Sequence, residues 1–326
     1  MNRLSRAGFK KDFVRWAMLP DWWAKSCEQD RALLPDVEFR VARFLGAQVS
    51  AVRDPACALA PPAYPGAQLR RVRDVNRDRL APAIHTAIQV ASAVVRSLRA
   101  TVSAVATPPA DGLVWRQQIR RGGTAIKLSD VLDDLWQRGI PVVALDLLPV
   151  PSFQGLACIV EGRPVILLGH KHDEPGRVAF FIAHEVGHIT GGDCTEAHPV
   201  VDEDEGVADD GDIERRADQY ASRVLVGEDT VPDMDADNYR EVATKAAGLE
   251  RSMNVDAGAV IFAWARRTGD YARASMAVKA LYLASGARRL LRKHFDCHVD
   301  LDSATESDRA LLHCVFGDPE RDATAP

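Results

Sequence analysis

The 326-residue chain has no run of about eighteen apolar residues, so no segment is expected to span a membrane. Its first residues, MNRLSRAGFKKDF, carry positive charge but no apolar stretch behind it, which argues against a secretory signal. Cysteine is sparse: the six stand at 27, 57, 158, 194, 297 and 314, and none forms a CxxC pair. That scatter argues against a disulfide framework and fits reduced thiols. The expectation is a cytoplasmic protein.

The net charge of −5 hides an asymmetry. Residues 1–130 carry 21 lysines and arginines against 11 acidic residues, whereas the remainder carries 20 against 35. A basic half of this kind would serve nucleic-acid contact. It would equally serve as a surface docked on the acidic half of the same chain.

Helical spacing predicts short helices over 9–18 and 36–45, with one more in the DWWAKSCEQDRALL stretch between them. Pro35-Asp36 opens the second, and Gly46 closes it. A Pro/Ala/Arg-rich connection runs from Asp54 to Arg79. Ile84, Ile88, Ala91, Val95, Leu98, Val102 and Val105 then alternate at spacings of four and three, a heptad seam that would fit a homodimer or packing within the chain. After the linker PPADG come a helix over 128–138 and three strand-like runs, PVVALDLL (141–148), GLACIV (155–160) and RPVILLG (163–169). Residues 193–212 are strongly acidic without apolar period and read as a surface loop. These features divide the chain into a helical segment (1–54), a basic connection with its long helix (55–112), a core (113–230), a helical region (231–317) and a disordered tail (318–326).

The chemistry lies in His184-Glu185-Val186-Gly187-His188. On a helix, positions four apart share a face, so both imidazoles reach one metal, and Glu185 is placed as general base. Glu174-Pro175 starts this helix and Gly191-Gly192 stops it. A catalytic zinc takes a third protein ligand and keeps one position open. Downstream, Gly211-Asp212-Ile213-Glu214 opens a helix with Asp212 as its expected cap. Glu214 and Asp218 fall on one face of it, the first as ligand, the second as acceptor for a ligand histidine's outer N–H. Cys194 and His198 are the competing third ligands, because Cys194 stands where a related motif places its third histidine.

The stretch from about 128 to 225 resembles the ImmA/IrrE family of zinc peptidases. It does so through GIPVVALDL, RPVILLG, Arg177 with Phe180-Phe181, AHEVGH and the helix IERRADQYASRVLV. The resemblance implies an α+β, mostly helical fold. A small zincin-like catalytic domain with a short sheet and an active-site helix would follow an all-α N-terminal region. Through ExxAD it also implies Glu214 as third ligand to Zn2+. The implied activity is that of an intracellular metalloendopeptidase whose protein substrate is a helix-turn-helix transcriptional repressor. The long acidic loop between His188 and Glu214 is an elaboration on the family's pattern.

The rival reading is a non-catalytic, zinc-stabilised DNA-binding regulator. PDVEFRVARFLGAQVSAV (35–52) resembles the last helices of a lambda-repressor-like helix-turn-helix domain, although Trp22-Trp23 stand where a polar recognition helix belongs. Arg70, Arg71, Arg73, Arg77 and Arg79 form a candidate phosphate-contact run. His294, Cys297, His298, His313 and Cys314 match no zinc spacing and read as ordinary core or surface residues. Tyr220 and His198 are the candidates for stabilising an oxyanion. An extended substrate would pair along the edge of the short sheet.

Overall fold

The apolar strand runs 142–144, 155–160 and 163–168 are too short to bury themselves, and helices cover them on both sides. This is the arrangement in the computed structural model, which describes residues 2–64, 67–70, 77–102, 104–196, 198–202, 211–232, 234 and 236–316. The fold is α+β and mostly helical. Five strands, β1 (Gln68–Arg70), β2 (Val142–Ala144), β3 (Gly155–Val160), β4 (Arg163–Leu168) and β5 (Val200–Asp202), form one mixed sheet in the order β1-β5-β3-β4-β2.

The central pair is a hairpin. Val160 pairs with Arg163, and Glu161 and Gly162 between them both have positive φ, the two-residue turn whose twist suits antiparallel strands. β2 joins β4 in parallel, β5 joins β3 antiparallel, and β1 joins β5 in parallel. Two of these strands depart from the sequence expectation. The acidic stretch 193–212 was expected as loop throughout, yet Val200 and Val201 are wholly buried and form β5 with Asp202. The connection from Asp54 contributes β1. In each case three residues suffice because the neighbouring strand supplies the partners, a non-local effect invisible to periodicity.

The side chains of β3 alternate. Ala157 and Ile159 pack with Ile189, Cys194 and Val200 on one face, where the helix Pro175–Gly191 lies. Leu156 and Cys158 join the main core, to which the helix Arg77–Arg96 contributes. That helix was expected to run through Val105. It ends at Arg96 because the backbone turns away to pair with the C-terminal region: Arg99 N–H donates to His298 O, and Leu98 bridges to Val299. Ile84 and Ala91 of its apolar seam are buried, and Ile88 and Val95 pack against the same core. Of the two readings of this seam, packing within the chain is the one these four residues adopt. A segment placed in the basic connection by sequence also serves as a layer over the sheet.

The N-terminal helices are shorter and more irregular than expected. Lys11–Phe13 runs into a π-turn over Val14–Met18, and the stretch after Trp23 yields only a 3-10 turn, Lys25–Gln29, because KSCEQD has no apolar stripe to bury. The helix Leu34–Leu45 forms nearly as expected, with Pro35 in its first turn and Gly46 closing it in the left-handed conformation. Asp36 does not cap it but binds Arg40 one turn on. Phe9, Phe13 and Phe44 cluster, and Phe44 meets His85 of the sheet-covering helix edge-on at 5.2 Å. Trp23 is core, while Trp22 is exposed. Several basic residues of this half are used internally. Asp308, on the helix Glu306–Val315, receives two hydrogen bonds from Arg96 at 3.1 and 2.7 Å and lies 3.5 Å from Arg43, and Glu306 binds Arg40. Arg71 and Arg73 lie outside the described residues, as does the tail from 317. Among the described residues no helix is long and apolar enough to cross a membrane.

Candidate metal centre

The motif helix begins with Pro175 in its first turn and ends at Gly192, whose left-handed backbone returns its N–H to His188 O and Ile189 O. Every residue from Gly176 to His188 is buried. The ligand helix, Asp212–Leu225, crosses it closely: a Cβ on Gly187 would stand 2.9 Å from Ala217 Cα, so only glycine admits this approach. Gly211, not Asp212, is its cap, and Asp212 binds Arg215 at 2.6 Å.

Between these helices His184, His188 and Glu214 bring one ligand atom each to within 4.8 Å of the others. His184 Nε2 lies 3.0 Å from His188 Nε2, and each is 3.4 Å from a Glu214 oxygen. The outer ring nitrogens are tied to carboxylates. His184 Nδ1 donates to Asp218 Oδ1 at 2.8 Å, and His188 Nδ1 donates to Asp193 Oδ2 at 3.2 Å. A neutral imidazole donating through Nδ1 has its lone pair on Nε2. Two lone pairs and a carboxylate oxygen therefore converge in a dry space, which suits a metal cation and nothing apolar. Among the described residues this is the one group of three or more such side chains able to hold a metal.

Each supporting carboxylate has its own arginine. Arg266, on the helix Ala257–Thr268, donates Nε to Asp218 at 2.8 Å and places Nη2 3.7 Å from Glu214. Arg216 reaches Asp193 at 3.3 Å. Asp193 and Arg266 were not anticipated from sequence. Asp193 carried a readable signal, an acid five residues after His188 just beyond a Gly-Gly stop. Arg266 carried none, since it lies 82 residues from His184 and arrives by tertiary packing.

Glu185 is 1% exposed, and a Cβ built on Gly155 would overlap its Oε1. The glycine thus lets β3 lie flat against the carboxylate. Cys194 and His198 do not join the metal group. The Cys194 thiol donates to Ala157 O at 3.2 Å, and its pKa is pushed up to about 12, first by burial and then by the Glu185 charge. His198 is exposed and bonds Thr195. The Tyr220 hydroxyl donates to Pro109 O at 2.8 Å with its ring stacked on Trp115, so it is committed to the core. The C-terminal histidines are structural: His298 stacks on Trp136 at 4.7 Å and on His294 at 6.0 Å, and Cys297 is exposed.

Phe181, one turn before Glu185 on the motif helix, packs against His170 and His172 at 4.9 and 6.2 Å. Burial drives His170 well below its usual pKa, and burial with the Arg177 charge lowers His172 to about 4. No protein-family model, curated protein or solved structure matches the chain.

Proposed function

We propose that the chain is a zinc-dependent metalloendopeptidase. His184, His188 and Glu214 hold the zinc, and Glu185 is the general base. The observation that carries this reading is the paired orientation of the two imidazoles, whose Nδ1 atoms are committed to Asp218 and Asp193 while both Nε2 atoms face Glu214. A zinc held there supplies Lewis acidity, lowering a water's pKa to about 7 and polarising a carbonyl. Glu185 accepts the water's proton and returns it to the leaving amine. Asp218 and Asp193 hold the ligand rings in one tautomer, and Arg266 and Arg216 donate hydrogen bonds to those acids. The likeness of residues 128–225 to the ImmA/IrrE pattern supports a protein substrate, of which a helix-turn-helix repressor is the expected class.

One observation favours the non-catalytic regulator instead. His184, Glu185, His188 and Glu214 are all 0–1% exposed, as a purely structural metal would require. The deciding experiment is a cleavage assay on a repressor encoded beside this gene, with unfolded casein as a second substrate, comparing zinc-loaded wild type with Glu185→Gln. Cleavage lost in the variant at unchanged zinc content supports the peptidase. Equal proteolysis by both proteins, or none by either, rejects it.

A further inference from the structure

We infer that the edge of β3 at Gly155–Ala157 is the docking edge for an extended peptide, and that β5 occupies this edge from within the chain. The inference deepens the peptidase reading and rests on it for its catalytic consequence.

The geometry begins at Glu185. Its carboxylate lies against Gly155, so β3 is the strand in contact with the proposed base. One side of β3 is taken by β4 through a two-residue turn, a local pairing that leaves no room for exchange. The other side takes β5, with Gly155 opposite Asp202, Leu156 opposite Val201 and Ala157 opposite Val200. Adjacent strands lie about 4.8 Å apart, so the backbone of β5 is one spacing from the strand that touches Glu185. An extended peptide adding to that edge would use the same N–H and C=O groups, and one edge serves one strand at a time.

Chain connectivity singles β5 out. It lies within residues 192–211, between the motif helix and the ligand helix, where linking the two helices requires no strand. It is nevertheless held from three directions. Val200 and Val201 are fully buried, β1 pairs along its outer side, and Cys194 just before it bonds Ala157 O. Beside this edge the four site side chains are 0–1% exposed. A peptide must displace β5 to add to this edge, so its apparent affinity scales with the fraction of molecules whose edge is free.

The test locks and loosens β5 in the full chain, carrying Glu185→Gln so that binding is read without chemistry. The probe is fluorescein-labelled unfolded casein, followed by anisotropy. Leu156→Cys with Val201→Cys places two thiols on directly opposed residues, whose Cα separation of roughly 4.5–5.5 Å suits a disulfide. Each single variant controls for pairing with native cysteines. Val200→Ser with Val201→Ser weakens the burial of β5. The oxidised double-cysteine protein should lose casein binding and regain it on reduction, while the double-serine protein should bind about tenfold tighter than its parent. Equal binding by the oxidised and reduced forms overturns the proposal, as does absence of binding in every variant. If binding follows the lock but no protein with Glu185 restored cleaves casein, the docking edge stands and the peptidase reading falls.

Discussion

Gly155 lies flat against the carboxylate of Glu185, close enough that a single methyl group would displace it. A strand residue and a helix residue thirty positions apart thus fix where the proposed base sits. Gly155→Ala should fold and bind zinc, because no metal ligand moves. Its kcat/KM should fall about 100-fold or more, the usual effect of a misplacement of about 1 Å at a reacting group. Near-wild-type turnover on a substrate that the parent cleaves would show that the carboxylate position is not critical.

Three neighbouring carboxylates separate the roles. Glu185→Gln should keep zinc and stability while losing roughly two to four orders of magnitude in rate. Glu214→Gln should lower zinc affinity and activity together. Asp218→Asn should weaken zinc binding by about 10–100-fold, since it still receives His184 but no longer carries charge. Metal content by mass spectrometry, read beside activity, checks the pattern. Equal zinc loss in all three would make Glu185 a structural residue.

Arg266 should matter most when metal is absent. It faces Asp218 and Glu214, and Glu214 is fully buried. Removing the cation by Arg266→Met leaves these acids with less compensation, whereas a bound dication supplies it. In EDTA the melting temperature should fall by several degrees relative to wild type, and excess zinc should recover most of the difference. An identical drop with and without zinc would assign Arg266 to packing alone.

The His172 side chain should make the protein acid-sensitive. Its folded-state pKa of about 4 lies below the unfolded value of 6.5, so between those values the unfolded chain binds more protons. The associated stability is fully present above about pH 6.5 and is lost as pH falls toward 4. Between pH 7.5 and 5 the metal-free wild type should therefore lose a few degrees more in Tm than His172→Asn. Superimposable Tm–pH curves would dismiss the shift.

The metal group was legible because its geometry is local. Two histidines four apart on a helix, and Glu214 with Asp218 four apart on another, need only the 3.6-residue turn to share faces. The three main strands were legible as short β-branched runs bounded by turn residues. What escaped depends on partners distant in sequence. β5 and β1 are three residues each and exist only through pairing. The seam 84–105 was read as one helix because periodicity cannot register that Arg99 bonds His298 instead. Arg266 reaches Asp218 from a helix with no motif of its own.

Asp308, which gathers Arg96 and Arg43, has a consequence for how the molecule is made. Synthesis proceeds from the basic half, and Asp308 follows Arg96 by 212 residues while Glu306 follows Arg40 by 266. During that interval Arg43 and Arg96 lack Asp308, and Arg40 has Asp36 but not Glu306. The nascent chain is then cationic and partly apolar, the condition in which binding by a chaperone, or adsorption to ribosomal RNA, competes best with folding. Final docking must wait until Glu306–Val315 has emerged.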